Sequence, residues 1–322
     1  MMFDWLRKRD WKNSSSHLLL LSKFMEGDSP DHYMDAEHWK SALNESPKKA
    51  IKGFVKDGML EPAELTQLMD FKFKVSELKS MLKNRQLKMS GRKVNLIDRL
   101  IENDAPGMEK ATNDISVFKC SEGGKILVND YLYKAKEERE RAEKIALNLL
   151  KERSFKKSVE VVARYEASQV FPRGLGIDWN CNSGKTDIEV LNTIFGKPPS
   201  ILNDVDDRRL ENLRLAAAMM HLWGTNSPSH WLPDDFDTEI YMESDVVARM
   251  LVFYALHQRQ MKYYKQAGVR TVEILTIDDS NTCSACKKLS NKKYIIDKVP
   301  ELPNPNCTCK IGCRCTAVAK DL

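Results

Sequence analysis

Cys283-Ser284-Ala285-Cys286 sets two thiols at the spacing that lets one tight knuckle turn both sulfurs toward a single ion. Four more cysteines follow in the stretch "NPNCTCKIGCRC": Cys307, Cys309, Cys313 and Cys315. Of the eight cysteines in the chain, only Cys120 and Cys181 stand apart from this block. A chain using cysteine simply as a small buried residue would scatter it. Thiolates are soft donors, and four of them around one ion select Zn2+. The intervening "KKLSNKKYIIDKVPELPNPN" is polar and short of core residues, so a module built on it gains most of its stability from the metal. A redox pair would need a thioredoxin-like βαβ setting, which is missing here, and an iron–sulfur cluster is the more distant alternative. Cys283 and Cys286 are the firm half of the site. Cys307 and Cys313 bracket the loop "TCKIG", in which Gly312 permits a tight turn, while Cys309 and Cys315 compete with them. The candidate metal ligands are thus Cys283, Cys286, Cys307, Cys313 and Cys315. One structural zinc is expected, so Cys309 or Cys315 should be replaceable with far less damage than Cys283 or Cys286.

Two further groups offer chemistry. Asp234, Asp235, Asp237 and Glu239 form an acidic stretch of the kind that can hold Mg2+ for phosphodiester cleavage, although such stretches more often cap a following helix. His221 sits on an apolar helical pattern with no second histidine one turn away, which favours a hydrogen-bonded core residue over a ligand. Neither a paired-histidine motif, nor a Gly-rich phosphate loop, nor a nucleophile elbow is present.

The elements that position these residues are mainly helical. The 322 residues suffice for two or three domains, with 42% hydrophobic and 30% charged residues, ordinary for a folded soluble chain. No apolar run is long enough to span a bilayer, so no membrane association is expected and a cytoplasmic location is. Residues 1–35 read as a loosely organised lead-in with a short helix. Residues 36–106 are a helical region, with Ser46 and Pro47 as N-cap and first helical position. Residues 107–270 form a central, mainly helical domain. It opens, after Asp104, Ala105, Pro106 and Gly107, with a linker and short β elements at "DISVFKC" and "KILVND". A long helical stretch at 131–171 follows, stopped by the 172–176 segment. A second helix comes next, with Asp204 as candidate N-cap and Gly224 as its stop, and a third runs from Ser244 to about Ala267. "TVEILTI" then reads as a strand leading into the cysteine-rich module, 271–322, a small α+β zinc knuckle.

Charge is unevenly spread under a net +5. Residues 72–99 hold nine Lys or Arg against two acids, and residues 281–322 hold eight against three, which leaves the rest acidic. Both stretches are candidate docking sites for a polyanion. In the first, Val75, Leu78 and Leu82 make one apolar stripe, and Leu96, Ile97, Leu100 and Ile101 a second. Between them Ser90 is a candidate cap and Gly91 a tight entry. The outcome is a helical hairpin too small to stand without its flank.

Residues 73–104 resemble the SAP motif, a small DNA-binding helical module, on Val75, Glu77, Leu78, Lys79, Leu82, Leu87, Ser90, Gly91, Lys93, Leu96, Ile97, Arg99 and Leu100. Gln86 stands where the family often has Gly. The resemblance implies that the second helix and the loop before it lie against double-stranded DNA, with Lys88, Ser90, Gly91, Arg92, Lys93 and Arg99 as candidate contacts. The cysteine block in turn resembles the C-terminal part of the Mu-type phage head morphogenesis family. That likeness rests on Ala267, Gly268, Val269, Asp279, Thr282, Cys283, Cys286, Pro305, Asn306, Cys307, Cys313, Arg314 and Cys315. It departs at the inserted "TCKIG" and at Asn304, where that family has histidine, and it implies the zinc-knuckle fold. Three functions are therefore expected in order: a DNA-binding protein with a structural zinc site, of prophage or mobile-element origin; a DNA-targeted nuclease with its active site in the central region; and a head assembly protein.

Overall fold

The computed structural model describes residues 10–172, 184–225 and 228–321. Cys181, and residues 173–176 of the expected helix stop, lie outside the described residues. The chain is mainly α and multidomain, dividing into two compact units, Met1–Glu138 and Arg139–Leu322. That border falls within a helix.

The first unit opens with α1 (Ser15–Ser22), α2 (Asp31–Met34), α3 (Glu37–Leu43) and α4 (Pro47–Lys56). Where a loose lead-in was expected, Leu20, Leu21 and Phe24 are fully buried, and the Trp11 ring lies 4.5 Å from Phe54. Ser46 caps α4 by accepting the Lys49 N–H, with Pro47 at the first helical position as expected. β1 (Leu60–Pro62) pairs antiparallel with β2 (Phe118–Cys120). Between these strands lie α5 (Leu65–Lys72), α6 (Val75–Asn84) and α7 (Lys93–Thr112), sharing a core of Met69, Leu78, Leu82, Leu96, Ile97, Leu100 and Met108. Val75, counted in the first stripe, is instead 40% exposed.

Three local expectations change here. No linker follows Asp104: the helix kinks there (φ −158°, ψ 60°), and the carboxylate restarts it by accepting the Gly107 N–H at 3.0 Å while pairing with Arg85. "KILVND" is helix, not strand. The Ser121 carbonyl and hydroxyl accept from the Lys125 and Gly124 N–H groups and so cap α8 (Glu122–Lys151). The helical stretch 131–171 is also broken, between α8 and α9 (Phe155–Ser168). Arg153 takes a left-handed φ of 58°, and the Ser154 and Arg153 N–H groups return to the Leu149 and Leu150 carbonyls.

In the second unit α9, α10 (Lys185–Ile194), α11 (Asp207–Trp223) and α12 (Ser244–Gln266) pack on one another. Asp206, not Asp204, caps α11, accepting from the Arg208 and Arg209 N–H groups; Gly224 ends it in the left-handed region as expected. β3 (Thr271–Leu275) lies between β4 (Lys292–Ile295) and β5 (Thr316–Asp321), antiparallel to both. The one-turn α13 (Ser284–Lys287) follows Cys283.

Candidate metal centre and nucleic-acid interface

Three segments bring the sulfurs together: the turn into α13 (Cys283, Cys286), the loop after Pro305 (Cys307, Cys309) and the entry to β5 (Cys313, Cys315). The loop is pinned by Gly312, whose φ is +84° and which sits so close to α12 that a Cβ there would meet Met250 at 2.9 Å and Val246 at 3.0 Å. Arg314 clamps the two outer segments, donating to both carboxylate oxygens of Asp279 at 2.8 and 2.6 Å and to the Thr282 hydroxyl at 2.9 Å. That fork holds the Asp279 carboxyl well below the usual range. So Asp279, Thr282 and Arg314, singled out in the sequence beside the cysteines, work as a brace that fixes the backbone at Cys283 and Cys315.

The Sγ atoms of Cys283, Cys286, Cys307 and Cys309 all lie within 4.8 Å of one another, and so do those of Cys286, Cys313 and Cys315. Zn–S bonds of about 2.3 Å in a tetrahedron imply S···S edges of roughly 3.8 Å. A metal ion therefore fits either set with small side-chain adjustments. Backbone amides already point at the sulfurs: Cys283 N–H to Cys309 (3.2 Å), Asn304 N–H to Cys313 (3.3 Å), Thr308 N–H to Cys283 (3.4 Å) and Cys309 N–H to Cys307 (3.4 Å). Burial raises the Cys283 thiol, but the Thr308 and Cys286 amides and the neighbouring Cys309 and Cys286 sulfurs outweigh it and pull the pKa down to about 6. Burial, followed by repulsion from Cys313, pushes Cys286 up to about 12. Cys307 and Cys315 are raised as well, each chiefly through hydrogen bonding to the Cys313 sulfur and then by burial. Without a cation only part of this set can ionise, whereas a divalent ion neutralises the repulsion. Cys309, left out of the sequence-based ligand set, belongs to the four-sulfur group. Its C-x-C pairing with Cys307 was the available signal. Cys120, by contrast, is an isolated buried thiol whose pKa burial raises to about 11.

Neither acidic nor histidine candidate gathers catalytic partners among the described residues. Arg209 pairs with Asp206 and Glu239, and the Asp237 carboxylate accepts the Glu239 N–H, so the acidic stretch braces the start of α11. His221 Nε2 lies 3.0 Å from Asp187, the hydrogen-bonded role expected for it.

In the basic hairpin, α6 ends on the left-handed residue Gln86 (φ 57°), with the Leu87 N–H returning to the Leu82 carbonyl and the Gln86 N–H to that of Lys83. The turn adopts glycine's conformation with a glutamine. Gln86→Gly is therefore expected to stabilise the first unit by about 0.5–1 kcal/mol, read as a higher urea midpoint at unchanged slope; a lower midpoint would refute the strain. Gly91 (φ +127°) enters α7, but Ser90 does not cap it. Asn95 accepts the Arg92 N–H instead, at 3.1 Å. Lys88, Ser90, Gly91 and Arg92 are exposed on this loop. The other two candidate contacts are partly engaged: Lys93 Nζ lies 3.1 Å from the Asp70 carboxylate, and Arg99 donates to the Lys88 and Ser90 carbonyls, stiffening the loop.

Residues 71–105 match the SAP domain family. The match covers α6, the exposed loop and α7 as far as its kink, and it points to nucleic-acid binding by this hairpin. Neither a curated protein nor a solved structure matches the chain. The likeness of the cysteine block to phage head morphogenesis proteins finds no support in these comparisons. No described helix is long and apolar enough to cross a membrane.

Proposed function

We propose that the protein binds double-stranded DNA through its SAP module and carries structural zinc in the cysteine cluster. The observation that carries the first half is the SAP match falling on a loop whose exposed cations, Lys88 and Arg92, flank a backbone turn stiffened by Arg99. Cations and amides on a fixed loop suit phosphate contacts, which position a protein on a duplex without reading sequence. Zinc is the reading for the cluster because its donors are all cysteine sulfurs, within 4.8 Å of one another in each set. Reduced thiols in such number also suit a reducing, cytoplasmic compartment.

The test is fluorescence anisotropy of the full chain with labelled duplexes of unrelated sequence and with single strands, each over a series of salt concentrations. Duplexes are expected to bind alike whatever their sequence, with log K falling linearly against log salt. Absence of binding at low salt, or preference for single strands, would overturn the duplex reading.

A further inference from the structure

The six clustered sulfurs outnumber the four places around one tetrahedral ion. Two are left over, and all but the half-buried Cys283 are sealed from solvent: Cys286, Cys307, Cys309, Cys313 and Cys315 are each at most 4% exposed. The two sets differ in membership. Cys283 and Cys309 belong to the first alone, Cys313 and Cys315 to the second alone, and Cys286 to both. Its Sγ lies 3.9 Å from that of Cys313. Two separate four-coordinate ions would need eight thiolates. Six cover seven of those eight places when Cys286, which belongs to both groups, is shared.

We infer that the cluster is a binuclear zinc centre in which Cys286 bridges two ions, one held with Cys283, Cys307 and Cys309, the other with Cys313 and Cys315. A thiolate has lone pairs enough to bind two ions at once, and sharing keeps the ions close. Six thiolates against two Zn2+ also leave the same net charge of −2 as four thiolates around one ion, so the second ion neutralises the two extra thiolates. The amides of Cys283, Cys309, Asn304 and Thr308, which donate to sulfurs of both groups, disperse that charge. The expectation that Cys309 and Cys315 are expendable gives way: each holds a terminal place.

The inference rests on the zinc reading proposed above, and metal stoichiometry separates the two. The full chain, purified with zinc and a reductant, is examined by native mass spectrometry together with elemental analysis. Two zinc ions per chain are expected, and Cys315→Ser is expected to lower the count to one. With 113Cd in place of zinc, the wild-type chain should show two cadmium resonances coupled to each other through the shared Cys286 sulfur. One ion per chain, with two thiols open to alkylation once the fold is loosened, would overturn the binuclear centre and leave the zinc reading standing. A metal-free chain, or one holding iron with visible absorption, would overturn both.

Discussion

Cys286→Ser is expected to unfold the second unit and leave the first intact. Cys286 is 1% exposed and packs in one apolar cluster with Val246, Val247, Met250 and Leu251 of α12, Leu210 and Leu213 of α11 and Val190 of α10. Structural zinc in thiolate sites contributes on the order of 10 kcal/mol or more, while a whole domain is stable by about 5–15 kcal/mol. Removing a ligand that belongs to both sulfur sets withdraws most of that margin. Because the sulfurs sit inside the helical core, the damage should spread from β3–β5 into α10–α12 and not stop near residue 275. Limited proteolysis read by mass spectrometry is the check. Fragments of the first unit should survive, while cleavage sites open throughout residues 185–321. A chelator acting on the wild-type chain should reproduce the pattern. A variant that keeps the parent's melting temperature and protease resistance would show that the cluster needs no metal.

Replacing Lys88 and Arg92 together by alanine is expected to cost roughly 50- to 100-fold in duplex affinity near 0.1 M salt and to flatten the salt slope by about two units. Each neutralised phosphate contributes about 0.9 to that slope, which at 0.1 M is close to tenfold in affinity. Both side chains are exposed, so the fold should tolerate the change. Lys93→Ala should lose less, because its ammonium is shared with Asp70. Anisotropy titrations at four or five salt concentrations read both quantities. A double variant with the parent's slope would move the DNA contact away from this loop.

Much of this was legible in the chain. The apolar stripes at Leu78, Leu82, Leu96, Ile97 and Leu100 named the core of the hairpin because helical periodicity needs no tertiary information. The C-x-x-C spacing marked the sulfur site for the same reason, since two of its donors lie on one turn. What stayed hidden depends on atoms remote in sequence. Whether Cys309 or Cys313 joins Cys283 is decided by the Asp279–Arg314 brace and by Gly312 against α12, none of which a local pattern encodes. The left-handed turns at Gln86 and Arg153 escaped for a different reason: each places a side chain where glycine is the usual signal, and backbone hydrogen bonding overrides the local preference. Asp104, Ala105, Pro106 and Gly107 looked like a linker because they carry a turn's residue types, yet they restart a helix.

That restart bears on how far the hairpin can be transplanted. The SAP match ends at residue 105, but Met108, beyond the kink, is only 1% exposed within the hairpin's core, and the Ala111 carbonyl accepts from Lys72 at 2.7 Å. At the other end Met69, fully buried, precedes residue 71. Excised at 71–105, the piece would bare Leu78, Leu100 and their neighbours to water. The hairpin's shared core runs from Leu65 to Thr112, so α5 and the second half of α7 are expected to travel with the basic loop as its foundation whenever it is grafted elsewhere.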